Sequence, residues 1–450
     1  MSHRRQRCRT RTSRRRALPF LVLPLAVWGC DEGVLQPPEA EDALFERYVA
    51  LGNSITAGFQ SGGINEATQE EAYPVLLAER MGTEFSIPAF NEPGCPAPLV
   101  NLLTGERAGG AGPEDCGLRR SPAPERLNNV AVPQATPLDI CDNLADDARP
   151  NPLTVFILGG RTQAEAARAI EPTFSTIWVG NNDALGVATT GMLTDETLTP
   201  LDAFQDRYST MLEELGDDME GLLVGVAHPV FVPFLSFGSV YWELQQMGEL
   251  PENFQVDESC SADPEEGGEG VSFVPFSYGI EELLLPAMED EDLEAELNCA
   301  QDPPVLREDE VNEVTDRIQA YNQTISDLAE DRDWAFVDPN AVLQEADELG
   351  LIPIFPDFGN PEEPFGPLFS LDGIHPSGAF HEVAAATFLN VVNQHYDTDL
   401  EPIDGEVGGE RATAAPDVPS PLRELPTVPG GPTRSDAADV DTGEDPAGGD

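Results

Sequence analysis

The feature that most constrains this fold is an alternation between short, mainly apolar segments and longer amphipathic ones. Strand-length apolar runs occur at residues 47–52, 129–132, 174–179, 222–227 and 334–337, and helical patterns at 72–81, 201–215, 308–329 and 378–396. Strands that are apolar on both faces belong to a sheet that is covered on both sides, and intervening helices are typical of parallel crossovers. The pattern predicts an α/β domain with its ligand site beyond the carboxyl ends of the strands.

The N-terminal region has the composition of an export signal. Eight arginines occur in the first sixteen positions, and the apolar run at 17–28 follows them. That run is shorter than the about 20 residues that a spanning helix needs, so residues 1–29 are predicted to be a signal peptide. The next residue, Cys30, ends the string VWGC, which resembles the lipobox of bacterial lipoproteins. We expect export to the bacterial cell envelope with a lipid on Cys30, and ordinary secretion is the alternative.

Composition divides the rest of the chain. Residues 30–44 are rich in acidic residues and proline and are predicted to be a tether. The folded domain is expected over 45–400, interrupted by insertions at about 91–126 and 236–305, since long inserts on a compact scaffold are usually functional loops. Residues 401–450 contain almost no aromatic side chains and are predicted to be a disordered acidic tail.

The charge balance restricts the partners. The chain has 82 acidic and 24 basic residues, and all the basic ones are arginine. Such a field repels nucleic acid, so we expect no nucleic-acid partner. Either adaptation to high salt or an ordinary solvated surface explains it. The acidic runs at 258–269 and 289–296 lack the spacing of calcium ligands around a central glycine, so no metal site is predicted there.

Five cysteines lie beyond Cys30, too scattered for a metal knuckle. An exported chain allows disulfides. We predict bridges that each close an irregular loop, one between Cys95 and Cys116 and one between Cys260 and Cys299. Cys141 is left without a predicted partner.

A serine stands where the first apolar strand gives way to a helical pattern. Gly52 and Asn53 form the turn, and Ser54 follows. Such a position brings a hydroxyl to the carboxyl edge of the sheet. A nucleophilic serine also needs a base that takes its proton and donors that hold the resulting oxyanion.

Few histidines are available as that base. His375 lies in a turn three residues after Asp372, which is close enough for the carboxylate to orient the imidazole. His228, at the end of an apolar strand, remains a rival. His381 and His395 fall within the last helical pattern and are predicted to be surface or boundary residues.

An oxyanion donor is predicted after another strand, in the string GNND at 180–183. Gly180 lets the backbone turn sharply, and the Asn182 amide can donate a hydrogen bond without carrying charge.

Three strings together resemble a known family. GNSI at 52–55, GNND at 180–183 and DGIHP at 372–376 are similar, in the same order, to blocks of the SGNH or GDSL hydrolases. The string NNVAVPQA at 128–135 resembles a fourth block, which carries glycine where this chain has Gln134. The first block has Asn53 and Ile55 in place of the usual aspartate and leucine.

The resemblance implies a role for each matching residue. Ser54 is the nucleophile, His375 the base and Asp372 the acid that orients it. The oxyanion hole consists of the Asn182 side-chain amide and the backbone N–H groups of Ser54 and Gln134. A residue other than glycine at 134 is strained if its φ is positive, and its side chain is expected to enter the site.

The resemblance also implies a three-layer α/β/α, flavodoxin-like fold with a five-stranded parallel sheet and a reaction that needs no cofactor. The substrate is then a carboxylic ester of a lipid, a short acyl group or an acetylated sugar, and the second insertion is expected to cover the acyl pocket. The alternative is a surface lipoprotein that uses the same fold as a binding module with little turnover, for which Gln134 is the only indication.

Overall fold

The computed structural model describes residues 40–145, 148–149, 151–268, 270–301, 303–403 and 434. The expected signal peptide, Cys30 and all but a few residues of the tether and tail lie outside these ranges. The strands are β1 (Tyr48–Gly52), β2 (Leu99–Asn101), β3 (Glu106–Arg107), β4 (Phe174–Trp178), β5 (Glu220–Val224), β6 (Leu235–Phe237), β7 (Phe254–Val256), β8 (Ser272–Pro275), β9 (Ala295–Leu297), β10 (Leu306–Arg307) and β11 (Ala335–Val337). The helices are α1 (Ser54–Ala57), α2 (Glu66–Glu70), α3 (Tyr73–Met81), α4 (Pro137–Cys141), α5 (Pro152–Leu158), α6 (Gln163–Arg168), α7 (Leu185–Thr190), α8 (Leu201–Leu215), α9 (Gly238–Met247), α10 (Leu285–Glu289), α11 (Glu308–Glu330), α12 (Asn340–Glu348) and α13 (Gly378–Tyr396).

A parallel sheet forms the centre of the molecule, in the order β1-β4-β5-β11. Every residue of β1 and β4 is buried, as expected for mainly apolar strands of a sheet that is covered on both faces. Trp178 at the end of β4 packs on Tyr73 of α3 and on Phe388 of α13, with ring centroids 5.7 and 5.5 Å apart. The α/β architecture is confirmed.

The expected five-stranded sheet is not confirmed, since the sheet has four strands in the described part of the chain. The segment predicted as the fifth strand does run beside β1. The Ala50 N–H donates to Asn128 O at 2.8 Å, and the Val130 N–H donates to Ala50 O at 3.0 Å. Only an isolated bridge, between Ala50 and Asn129, is formed. The Val132 N–H also donates to Gly52 O at 3.2 Å, but the Gly52 N–H donates to the Gln163 side chain instead of to this segment, so the ladder does not continue.

Both insertions carry structure of their own. The first contains the β2–β3 hairpin. The second contains the parallel pair β7-β9 and most of the antiparallel sheet β10-β8-β6, whose strand β10 follows directly after it. The predicted disulfides, Cys95–Cys116 and Cys260–Cys299, are confirmed. Cys141 is disulfide-bonded as well.

None of the helices among these residues has the length and apolarity needed to cross a bilayer.

Two histidines, His228 and His381, are buried, and the burial of His381 was not expected. His381 in α13 was predicted to be a surface or boundary residue, but it is 0 % exposed and its Nδ1 accepts from the Tyr73 N–H at 3.4 Å. His228 is buried too, whereas His395 is exposed as expected. Burial lowers the pKa of both His228 and His381 to about 3.

Acidification is therefore expected to destabilise the fold. The pKa of a histidine in the unfolded chain is about 6.5, whereas the pKa of each of these two is about 3 in the folded chain. Between these two pH values the unfolded chain binds protons that the folded chain excludes. Each histidine then removes about 2 kcal/mol from the free energy of unfolding between pH 7 and pH 5. Urea unfolding at both pH values measures this loss. The loss should shrink by about that amount in His381→Asn and stay unchanged in the exposed control His395→Asn. An equal loss in His381→Asn and wild type would contradict the account.

Candidate active site

Ser54 lies at the carboxyl end of β1, where the strand turns into α1. It is the first residue of that helix and is 7 % exposed. Asn53 caps the helix, and its Oδ1 accepts from the Ile55 N–H at 3.0 Å. The N–H groups of a first helical turn have no intrahelical acceptor, so the Ser54 N–H remains a donor beside its own hydroxyl.

Gly52 makes this turn possible. A Cβ at this position would overlap Trp178 O and the Thr56 hydroxyl. Gln163 at the start of α6 holds the glycine from both sides: the Gly52 N–H donates to Oε1 at 3.0 Å, and Nε2 donates to Gly52 O at 2.9 Å. Sequence reasoning missed Gln163 because this partner lies 111 positions away.

Asp372 and His375 meet in the turn before α13. Asp372 Oδ2 lies 2.7 Å from His375 Nδ1, and Oδ1 accepts from the backbone N–H groups of His375 and Ile374 at 2.8 and 2.9 Å. Phe59 packs on the imidazole, with ring centroids 4.8 Å apart. The carboxylate therefore fixes the ring, and Nε2 is the nitrogen left for chemistry.

Asp372 has a further partner that sequence reasoning missed. The Gly62 N–H donates to Oδ2 at 2.6 Å. Burial alone would raise the pKa of Asp372, but the His375 ring and the hydrogen bonds from His375 and Ile374 outweigh it and lower the pKa to about 2. The group is a carboxylate throughout the neutral range.

Asn182 lies in the turn after β4. Gly180 begins this turn with φ of 115°, and a Cβ there would lie 2.8 Å from Val226 Cγ2. One Asn182 amide hydrogen is used on Ala135 O at 3.0 Å, which joins this turn to the segment around Gln134. An amide has two hydrogens, so the second remains for a ligand.

Asp183, the next residue, stabilises the same turn through contacts with Thr199 and Arg207. Its buried Oδ1 accepts from the Thr199 hydroxyl at 2.8 Å, and Arg207 lies 3.9 Å away. Burial raises the pKa of Asp183 to about 6, against the opposing effects of Thr199 and Arg207.

Gln134 has a positive φ of 69°, as expected at a position where the matching family block carries glycine. Its side chain is exposed and is not among the residues that line the cavity beside Ser54. The expectation that this side chain enters the site is therefore wrong, and what remains of the departure is backbone strain.

Replacing Gln134 by glycine should relieve that strain. A left-handed conformation costs a residue with a Cβ roughly 1–2 kcal/mol, and the greater freedom of glycine in the unfolded chain offsets about half of the gain. We expect the free energy of unfolding to rise by up to about 1 kcal/mol and activity to change little. Glu171→Gly, at another exposed site with φ of 55°, is the matched control. A large gain of activity confined to Gln134→Gly would show that the side chain obstructs the site after all.

A cavity of about 60 Å³ joins these elements. Ser54, Asn182 and His375 line it, and apolar side chains form most of the remaining wall. The structure thus brings together the serine, the imidazole and the amide that the sequence predicted.

A further part of the cavity wall comes from the segment after β5. Its lining residues are Ala227, His228, Pro229, Phe231 and Val232. No described residue of the insertion at 236–305 lines the cavity, so the expectation that this insertion covers the acyl pocket is not confirmed. The wall is the segment that leads into the insertion.

Both nitrogens of His228 are engaged. Nδ1 accepts from the Val230 N–H at 3.2 Å, and Nε2 lies 2.9 Å from the Thr315 hydroxyl. That hydroxyl donates to Val311 O at 2.9 Å, so it accepts from His228 Nε2–H. No lone pair of the ring is left to take a proton from Ser54.

Comparison with known proteins gives one family. The family described as GDSL-like Lipase/Acylhydrolase matches residues 48–388, more than half of the chain. No curated protein matches.

Two solved structures are similar at low identity. A variant of Axe2, an acetyl xylan esterase from Geobacillus stearothermophilus, is 14 % identical with a TM-score of 0.33, covering 77 % of this chain and 94 % of that one. TesA is 13 % identical with a TM-score of 0.31, covering 77 % of this chain and 98 % of that one. Scores this low carry no argument about activity.

Proposed function

Because this chain belongs to the GDSL-like lipase/acylhydrolase family, we propose that it is an exported serine hydrolase that cleaves a carboxylic ester through an acyl-enzyme. The observation that supports this most strongly is the cavity that Ser54 and His375 both line, with Asp372 holding the imidazole from behind at 2.7 Å.

The proposed reaction has two halves. Ser54 Oγ attacks the ester carbonyl while His375 Nε2 takes its proton, and the oxyanion accepts hydrogen bonds from the Ser54 N–H, the Gln134 N–H and the Asn182 amide. The C–O bond to the alcohol breaks as His375 returns the proton to the departing oxygen. Water, deprotonated by His375, then attacks the acyl-enzyme and releases the acid and the Ser54 hydroxyl.

His375 is the base in this proposal and His228 is not. The Asp372 carboxylate leaves Nε2 of His375 for chemistry, whereas His228 uses both nitrogens within the fold. Burial also lowers the pKa of His228 to about 3, so that ring is a poor proton acceptor at neutral pH.

The size of the cavity favours a short acyl group. A volume of 60 Å³ corresponds to about four to six water positions, and its walls are mainly apolar. An acetyl or butyryl chain fits this description better than a long fatty acyl chain.

We also propose that the protein is held at the cell envelope by a lipid on Cys30, which the VWGC string supports. Mass spectrometry of the mature N-terminus tests this: an acylated Cys30 is expected, and an unmodified N-terminus elsewhere would contradict it.

An ester panel tests the proposed function. The p-nitrophenyl esters of acetate, butyrate, octanoate and laurate are expected to give kcat/KM values that fall with chain length. Phe231→Ala, which removes a ring from the cavity wall, should shift the preference toward octanoate. Absence of turnover on every ester by folded protein would contradict hydrolase activity and favour the binding module. A preference for laurate in the wild type would contradict the acyl-size assignment alone.

A further inference from the structure

One residue of the predicted tail is part of the folded structure. Arg434 is 0 % exposed, which is unexpected for a segment whose composition predicts disorder. Its guanidinium donates hydrogen bonds to four backbone carbonyl oxygens, those of Val230, Val232, Leu235 and Pro353. It also lies over the Phe237 ring, 5.6 Å from the centroid, within the range of a cation–π contact.

Arginine is well suited to this position. Its planar fork donates in several directions at once, and a guanidinium is more weakly hydrated than an ammonium. Burial lowers the pKa of Arg434 to about 10, and Asp347 opposes that effect, so the group is still protonated at neutral pH. All four bonds come from the terminal nitrogens Nη1 and Nη2. A small guanidinium ion has the same donors.

Three of the four carbonyls that Arg434 binds belong to the short segment that contains the cavity-lining residues Phe231 and Val232. Val232 lines the cavity itself, and Phe231 lies between two of the bound carbonyls. The same segment contacts the turn of the candidate base, because the Phe234 N–H donates to Gly373 O at 3.0 Å. Arg434 therefore holds the segment on one side and the turn that carries His375 holds it on the other.

We infer that Arg434 is a positioning residue for the acyl cavity: its guanidinium fixes residues 230–235 and with them the cavity-lining Phe231 and Val232, so that a side chain from the C-terminal region supports the substrate site. The inference rests on the proposed function. Without the guanidinium, three neighbouring carbonyls of one short segment lose a charged donor, and the wall is free to shift. Asn182 and His375 are also held by contacts that do not involve this segment, so we expect binding of the acyl group to suffer more than the chemical step.

Kinetics of Arg434→Ala test this role. We expect KM for the acetyl ester to rise about tenfold, the size of one charged hydrogen bond, with kcat within about twofold of wild type. Methylguanidinium at millimolar concentration should lower KM again. Arg434→Lys should be intermediate, because an ammonium is a single point that cannot reach all four carbonyls. Arg423→Ala removes one charge from the same C-terminal region and should match wild type.

Hydrogen exchange separates failure of this inference from failure of the proposed function, because it needs no turnover. The Phe234 amide should exchange at least about tenfold faster in Arg434→Lys than in wild type or Arg423→Ala, while amides of β4 stay protected. If Arg434→Ala does not fold, Arg434→Lys provides both readouts. An unchanged KM together with unchanged exchange at Phe234 would overturn the inference, as would an equal loss of protection throughout the sheet.

Discussion

Replacing Ser54 by alanine is expected to lower kcat for ester hydrolysis by about a million-fold, while the fold is retained. In the proposed reaction the Ser54 hydroxyl forms the acyl-enzyme, and alanine keeps the helical start that Asn53 caps. Steady-state hydrolysis of the acetyl ester measures the loss. A thermal unfolding midpoint close to that of the wild type shows that the site, and not the fold, is lost.

His375→Ala and the double variant complete this test. Groups that act as a unit are not additive, so removing Ser54, His375 or both should each give about the same residual rate. The exposed His395→Ala is the matched control for loss of an imidazole. Losses that multiply in the double variant would show that the two residues act independently, which contradicts the proposed pair.

The second large effect is expected for Asp372→Asn, which should lower kcat by about ten-thousand-fold. The carboxylate accepts from His375 Nδ1 and from the Gly62 N–H through the same oxygen. The side-chain amide of asparagine has one acceptor oxygen and one donor nitrogen. If the oxygen accepts from the backbone N–H groups of Ile374 and His375, the NH2 group takes the place of Oδ2 and cannot accept from His375 Nδ1 or from the Gly62 N–H. The imidazole then loses the group that orients it and stabilises its charged form.

The same substitution removes a pH-dependent contribution to stability. The folded pKa of Asp372 is about 2, below the ordinary value of about 3.9, so the carboxylate stabilises the fold above about pH 4 and this effect is lost as pH falls toward 2. Asp357→Asn is the matched control, since Asp357 also accepts a backbone N–H in an exposed turn, that of Gly359 at 2.9 Å. For the activity prediction, a kcat of Asp372→Asn within tenfold of the wild-type value would contradict the orienting role of the Asp372 carboxylate.

The sequence predicted those parts of the fold that depend on local pattern. Buried runs such as Tyr48–Gly52 are apolar on both faces, so their place in a covered parallel sheet was predictable. The disulfide pairs were predictable because each closes a single irregular loop. The fifth strand was not confirmed, because the Gly52 N–H that would pair with it is bonded to Gln163, a distant partner that apolar content does not reveal.

Contacts between distant segments were not predictable. Gln163 pairs with Gly52 across 111 positions and Gly62 donates to Asp372 across 310, and neither is marked by a motif. His381 lies in a helix whose neighbours bury it, which the position of a lone histidine does not reveal. Arg434 was missed for the opposite reason: the composition around it predicts disorder, while its own side chain fills a site built from carbonyl groups more than 80 positions away.

Reaction with a fluorophosphonate probe, followed by mass spectrometry of the labelled peptide, tests the central claim most directly. The account predicts a single phosphonylated residue, Ser54, with labelling lost in Ser54→Ala, slowed by orders of magnitude in His375→Ala and retained in His228→Ala. Labelling at another serine, or labelling that depends on His228 and not on His375, would contradict it.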